Sequence, residues 1–143
     1  EITINKGIKD NIKVGDIVIN NEGLVGIISS TLPNTSNVSL ITNIDNNKKI
    51  TVGINDSEET IYGIISEYDK IKNEIVISEL TSEITYTNNM FVITTSFTNT
   101  FKEGIIIAKV KDILDDSNGL SKKAIAKPVV DYNEIKYVCV VSK

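Results

Sequence analysis

Short apolar runs rich in isoleucine and valine recur along the chain, and each run is bounded by Asn, Asp, Gly or Ser. This pattern is typical of many short β-strands joined by turns, as in a β-sandwich or a β-barrel. Almost no helix is expected. The predicted strands are residues 2–4, 16–20, 24–29, 38–42, 50–54, 61–65, 74–78, 91–95, 105–110, 122–129 and 137–141. These strands are too many for one small barrel.

Turn residues and alternation indicate antiparallel connections. The run Asn-Asn-Glu-Gly at 20–23 separates two apolar segments, where Gly23 with a positive φ is expected to close a tight hairpin. Residues 115–119 are expected to do the same between two later strands. In the predicted strand at 122–129, Ala124, Ala126 and Pro128 share one face, and Lys123, Ile125 and Lys127 share the other. Because Pro128 cannot donate to a sheet, the strand is expected to end or to lie at an edge there.

A weak internal repeat relates residues 13–28 to residues 87–110, each with a polar turn, a strand, a connection and a second strand. We therefore predict an all-β fold of two small antiparallel, Greek-key-like β-barrels, each of about six strands. The expected domains are residues 1–57 and residues 58–143. The sequence leaves open whether the last strand, within 136–143, returns to complete the first barrel.

Charge and composition exclude some functions. The net charge is -4, the pI is about 4.9, and every positive side chain is a lysine, which argues against a surface that reads phosphate backbones. No nucleic-acid partner is expected. The sequence lacks histidine, so a serine or cysteine nucleophile would have no imidazole base. We expect no catalytic residue and no enzymatic activity, and a degenerate hydrolase is the rival interpretation.

Other candidate sites have simpler interpretations. Cys139, the only cysteine, stands in an apolar run and is expected to be a small buried residue. Asp115 and Asp116 with Gly119 resemble a calcium loop but lack its alternating ligand spacing, so a turn is expected. Glu58 and Glu59 are interpreted as a solvated linker. No helix follows the glycines to present amide groups to a phosphate. No metal and no cofactor are expected.

Gly26 and two phenylalanines have less ordinary positions. Gly26 lies inside a predicted strand, which indicates a bulge or a close backbone approach, and Gly26→Val is expected to cost roughly 1–3 kcal/mol of stability. Phe97 and Phe101 lie in a stretch of Thr, Ser and Asn. They are candidate protein-interaction residues, although both could instead plug the second barrel.

Several segments resemble the MreC family of rod shape-determining proteins. The first half carries KVGDIVIN at 13–20, EGLVGII at 22–28 and PNTSNVSLITN at 33–43. The second half carries TTSFTNTFKEGIIIAKV at 94–110 and AKPVVDYNEIKYVCVV at 126–141. The resemblance covers essentially the whole chain. It departs from the family pattern in the loop at 94–104, where Phe97 replaces a usual glycine, and just beyond it at Ala108.

The resemblance implies a non-enzymatic scaffold of the cell-wall elongation machinery, made of two β-barrels. Its implied partners are a penicillin-binding protein of that machinery, MreD and other MreC copies. It also implies a location at the outer face of the cytoplasmic membrane, with the membrane reached only through an N-terminal anchor absent from this fragment. A generic extracellular ligand-binding or adhesive β module is the alternative.

Overall fold

The computed structural model describes residues 1–43, 50–56, 59–95, 103–115, 119 and 121–142. Within these residues the chain forms eleven β-strands, and its one helical element is a single 3₁₀ turn at Ile8–Asp10. The strands are β1 (Ile2–Ile4), β2 (Ile17–Ile19), β3 (Leu24–Thr31), β4 (Ser36–Leu40), β5 (Ile50–Asn55), β6 (Thr60–Asp69), β7 (Glu74–Ser78), β8 (Phe91–Thr94), β9 (Ile106–Asp115), β10 (Lys122–Pro128) and β11 (Cys139–Val141).

The all-β prediction is confirmed, and a strand is present at each of the eleven predicted positions. The strands that most exceed their predicted length are β6 and β9, which contain ten residues each. Their additional residues are mainly polar and face solvent, as in the segments 66–69 and 111–115. These ends are held by pairing with β7 and β10, so their own sequence carries little apolar signal.

The chain divides into two compact units. The first unit comprises Glu1–Asn43 together with Val130–Lys143, and the second comprises Ile44–Val129. This division differs from the boundary expected between residues 57 and 58. The difference arises because β5 pairs with β6 from Ile50↔Ile65 to Asn55↔Thr60, so it lies in the same sheet as the strand that follows it.

The second unit is a closed six-stranded barrel with the strand order β10-β7-β6-β5-β8-β9. Every pairing in it is antiparallel. Strands β5, β6 and β7 follow one another, and β8 returns beside β5, which is a Greek-key arrangement. The largest fully buried side chains on these strands are Ile54, Ile65, Ile75, Ile77 and Ile107. As predicted, Ala124 and Ala126 form the buried face of β10, which ends at Pro128.

The first unit is an open sheet of five strands with the order β1-β4-β3-β2-β11. The strand order of this sheet matches that of the closed barrel, except that one of the six strands of the barrel has no equivalent. Strands β2, β3 and β4 correspond to β5, β6 and β7, while β1 and β11 occupy the positions of β10 and β8. The position of β9 has no counterpart in the described part of this unit. Its core is formed by Ile17, Val18, Leu24, Val25, Ile28 and Val38.

The end of the chain returns to the first unit, a point that the sequence left open. Strand β11 pairs antiparallel with β2, so that Cys139 lies opposite Ile19. The segment before β11 is also attached, because the Tyr132 hydroxyl donates a hydrogen bond to the carbonyl oxygen of Leu24 at 3.2 Å. Val130 is buried in the core. The first unit is therefore assembled from both ends of the chain.

Glycine positions explain two local features. A Cβ atom added to Gly26 would lie 2.1 Å from the backbone oxygen of Ser39 on β4, which confirms the predicted close approach. The hairpin at residues 20–23 is present, but Gly23 does not have the positive φ that was expected. Its turn is closed instead by the Asn20 side chain, whose Oδ1 accepts hydrogen bonds from the N–H groups of Glu22 and Gly23.

Candidate functional site

The candidate site is a groove between the two end strands of the first unit. Strands β1 and β11 run in the same direction, because β4, β3 and β2 between them alternate in direction. Among the described residues, β1 pairs only with β4 and β11 only with β2, so each strand has one open edge. Both strands line a groove of about 1000 Å³.

The groove combines apolar side chains with a balanced set of charges. Its lining includes Ile2, Ile4, Ile12, Val138 and Val140, together with Lys6, Lys136, Asp10 and Asp16. Both carboxylates are already engaged by nearby backbone. The Oδ2 atom of Asp10 accepts from the N–H of Gly7 at 3.0 Å, and that of Asp16 accepts from the N–H of Lys13 at 2.9 Å. The lining is therefore mixed in polarity, and its two open strand edges suit an extended segment of polypeptide.

The directions of β1 and β11 determine how an added strand would pair with them. A strand antiparallel to β1 would also be antiparallel to β11, so the directions of the two edges are compatible with pairing to the same added strand. In the closed barrel, β9 holds the corresponding position and pairs with β8 and β10. An added strand in the groove would give the first unit the same six-stranded pairing order. Open edges of this kind are known templates for β-strand addition.

Cys139 lies on this groove and is exposed, which corrects the prediction that it is buried. The apolar run around it suggested a core strand, but β11 is at the end of the sheet and is only half-buried at Val140 and Val141. A side chain on an end strand has neighbours on one side only. The sequence could not show this, since the position of β11 depends on pairing with the distant β2.

The other candidate residues are not brought into this site. Phe97 and Phe101 lie outside the described residues, as do Glu58 and Asp116. Hydrogen bonds join the residues on either side of the segment that contains the two phenylalanines. The N–H of Gly104 donates to the carbonyl oxygen of Thr94, and the N–H of Ile105 donates to the Oγ1 atom of Thr94. In the described ranges, no group of three or more His, Cys, Asp and Glu side chains could hold a metal ion.

None of the described residues forms a helix with the length and apolar character needed to cross a membrane.

Comparison with known families gives a match over residues 1–142 to the model described as rod shape-determining protein MreC, barrel core. The cell shape-determining protein MreC of Bacillus subtilis is 34% identical over the whole chain, and that of Listeria monocytogenes is 26% identical. The chain spans about half the length of these relatives, 51% and 48%.

Solved structures agree with the sequence comparison. The MreC structure from Listeria monocytogenes has a TM-score of 0.88 and 26% identity, and the match covers 98% of this chain and 66% of that one. A structure described as the major periplasmic domain from the cell shape-determining filament MreC has a TM-score of 0.74 and 30% identity, with 90% and 77% of the two chains covered. The chain therefore belongs to the MreC family of rod shape-determining proteins.

Proposed function

We propose that this chain is a non-enzymatic scaffold that binds peptidoglycan synthases of the elongation machinery and associates with other MreC copies. The observation that carries the proposal is the pair of open edges, on β1 and β11, that line one groove. The relatives support the biological setting because they are named for cell-shape determination. One solved relative is described as a cell shape-determining filament, which supports self-association.

The groove would bind by strand addition. Backbone N–H and C=O groups of β1 and β11 would pair with an extended segment of the partner, and each such hydrogen bond contributes about 0.5–1.5 kcal/mol net. Apolar side chains such as Ile4 and Val140 would contact alternate side chains of the incoming strand. The backbone would then supply affinity, while the shape of the groove would select the sequence.

Chemistry would be performed by the partners. The chain contains no histidine, and its only cysteine lies on the groove that we assign to binding. The proposed partners are an elongation-specific penicillin-binding protein, MreD and further MreC copies. The proposed location is the outer face of the cytoplasmic membrane, where the full-length protein would be held by an N-terminal anchor.

The single cysteine provides a direct test of the groove. We expect Cys139 to react readily with a maleimide in the isolated chain because it is exposed. Binding of a cognate transpeptidase ectodomain should slow this reaction by about tenfold or more, which corresponds to roughly 1.4 kcal/mol of protection. Mass spectrometry of samples quenched at increasing times measures both rates.

A second cysteine position supplies the matched control. Ile71 is 96% exposed in the β6–β7 turn, so Ile71→Cys in a Cys139→Ser background should react at the same rate with and without the partner. Equal reactivity of Cys139 in the free and bound states would contradict docking at the groove. Protection of Cys139 in a longer form of the protein without any partner would also contradict it, because another segment of the same polypeptide would then occupy the groove.

Phe97 and Phe101 remain a second proposed contact, on the second unit. If they form an apolar anchor for a partner, the double variant Phe97→Ala, Phe101→Ala should lose about 2 kcal/mol or more of binding with little change in stability. If they plug the barrel, the same variant should lose roughly 3–5 kcal/mol of stability. Thermal unfolding and titration with the transpeptidase ectodomain separate these outcomes.

The buried position Ile107 provides a reference for the second outcome, since Ile107→Ala is a core truncation in the same unit. Unchanged stability together with unchanged binding to the transpeptidase and to MreC copies would remove the two phenylalanines from the proposed interface.

A further inference from the structure

A cluster of exposed apolar residues and lysines lies on the first unit, formed by Lys6, Ile8, Lys9, Leu32 and Pro33, which we call the lysine-rimmed patch. Two backbone hydrogen bonds join residues 6–9 to residues 32–33. The N–H of Ile8 donates to the carbonyl oxygen of Leu32 at 2.9 Å, and the N–H of Lys9 donates to the carbonyl oxygen of Pro33 at 3.1 Å. Ile8 is 56% exposed and Leu32 is 63% exposed. These side chains therefore contribute little to the core.

The backbone beneath the patch is closely packed. Gly7 is buried, and an added Cβ atom would lie 2.1 Å from the carbonyl oxygen of Leu32. The Ser36 hydroxyl donates a 2.7 Å hydrogen bond to the carbonyl oxygen of Lys6, and Asp10 accepts from the N–H of Gly7. The exposed side chains are consequently presented from a defined surface, and their exposure does not result from a loosely attached loop.

The charge around the patch is opposite to that of the whole chain. Residues 6–13 contain three lysines and one aspartate, a local charge of +2, whereas the chain as a whole carries -4. The Asp10 side chain lies 3.9 Å from Lys6 and neutralises it only partly, because both groups are exposed. Lys13 extends the basic segment, and Val14 beside it is 63% exposed.

We propose that the lysine-rimmed patch binds the surface of an anionic lipid bilayer. Side chains that are more than half exposed protrude from the surface, and a fluid bilayer accepts them without a complementary pocket. The neighbouring lysines would remain at the level of the anionic head groups. The inference rests on the proposed location beside the cytoplasmic membrane, and it adds a contact beyond the expected N-terminal anchor.

The test is co-sedimentation of the 143-residue chain with vesicles of phosphatidylcholine containing about one third phosphatidylglycerol, compared with phosphatidylcholine alone. Binding should occur only with the anionic vesicles and should weaken as salt is added. The double variant Lys9→Gln, Lys13→Gln, which leaves the groove-lining Lys6 in place, should lower the partition coefficient about twenty-fivefold, at roughly fivefold for each lysine. The variant Ile8→Ser, Leu32→Ser should also reduce binding, because it removes the inserted apolar side chains.

A matched control is available on the second unit. Lys70→Gln, Ile71→Ser, Lys72→Gln removes two lysines and an isoleucine that is 96% exposed. Vesicle binding should stay unchanged, because residues 67–74 contain two lysines and three acidic residues, a local charge of -1. Equal binding to neutral vesicles, an equal loss in the control variant, or no binding would overturn the proposal. Loss of self-association in the patch variants without vesicle binding by the parent chain would also overturn it. Protection of Cys139 by a protein partner is a separate measurement, so the groove and the patch can fail independently.

Discussion

Replacing Gly26 by alanine should lower the free energy of unfolding by about 3 kcal/mol, and valine should cost at least as much. The added Cβ atom would lie 2.1 Å from the oxygen and 2.9 Å from the carbonyl carbon of Ser39. Both are backbone atoms of β4, which pairs with β3 on one side and with β1 on the other. Relief of the clash would therefore require shifting a strand that is paired on both sides. Chemical denaturation measures the loss.

Gly53 is a matched control because it is also a buried strand glycine. The three atoms nearest to its added Cβ atom all belong to side chains, the nearest being Cγ2 of Thr60 at 2.9 Å. A side chain can move more easily than a paired backbone, so Gly53→Ala should cost about 1 kcal/mol or less. A loss for Gly26→Ala no larger than that of Gly53→Ala would show that β3 and β4 can separate at low cost.

Gly26 also illustrates what the sequence can and cannot predict. A glycine within a strand pattern correctly indicated a close approach of backbone. Gly26 is not among the residues with positive φ, so the expected instability comes from crowding by the added side chain and not from the backbone conformation of Gly26. The close neighbour is Ser39, thirteen residues away, and only the register of β3 against β4 identifies it. The local sequence pattern predicted that Gly26 is a close-contact position, whereas the pairing of β3 with β4 identifies the residue that it contacts.

The strands were predictable because the chain alternates between apolar β-branched runs and short polar breaks. Glu74–Ser78 is the clearest case, since its predicted and observed bounds are identical. The outer halves of β6 and β9 were missed because their polar residues are ordered by their partner strands, and they bury little apolar area themselves. Apolar patterns in the sequence therefore predict the buried parts of strands, and they do not predict the exposed ends.

The candidate site was much less predictable than the strands. Its two edges come from opposite ends of the chain, with Ile4 on β1 and Cys139 on β11. The location of these open edges depends on which strands pair across long separations in sequence. The misassignment of Cys139 has the same origin: an apolar run predicts burial only when strands or loops cover both of its faces.

Removal of residues 130–143 should destabilise the first unit by about 4 kcal/mol or more while leaving the closed barrel folded. The deletion removes Val130, which is 1% exposed, and burial of a valine contributes about 1.5–3 kcal/mol. It also removes the hydrogen bond from Tyr132 to Leu24, worth about 1 kcal/mol, and it leaves β2 as an edge strand that pairs only with β3. The barrel order β10-β7-β6-β5-β8-β9 includes none of the deleted residues.

Hydrogen exchange resolved by peptide mass spectrometry distinguishes the two units in this experiment. Amides of β2 and β3 should exchange faster in the truncated chain, whereas amides of β5 and β6 should keep the protection they have in the intact chain. Tyr132→Phe is the graded control: it removes only the hydroxyl, so it should cost about 1 kcal/mol and leave β11 in place. Full protection of β2 and β3 after truncation would mean that the first unit is stable without the returning strand. Loss of protection in β5 and β6 as well would mean that the closed barrel depends on the first unit for its stability.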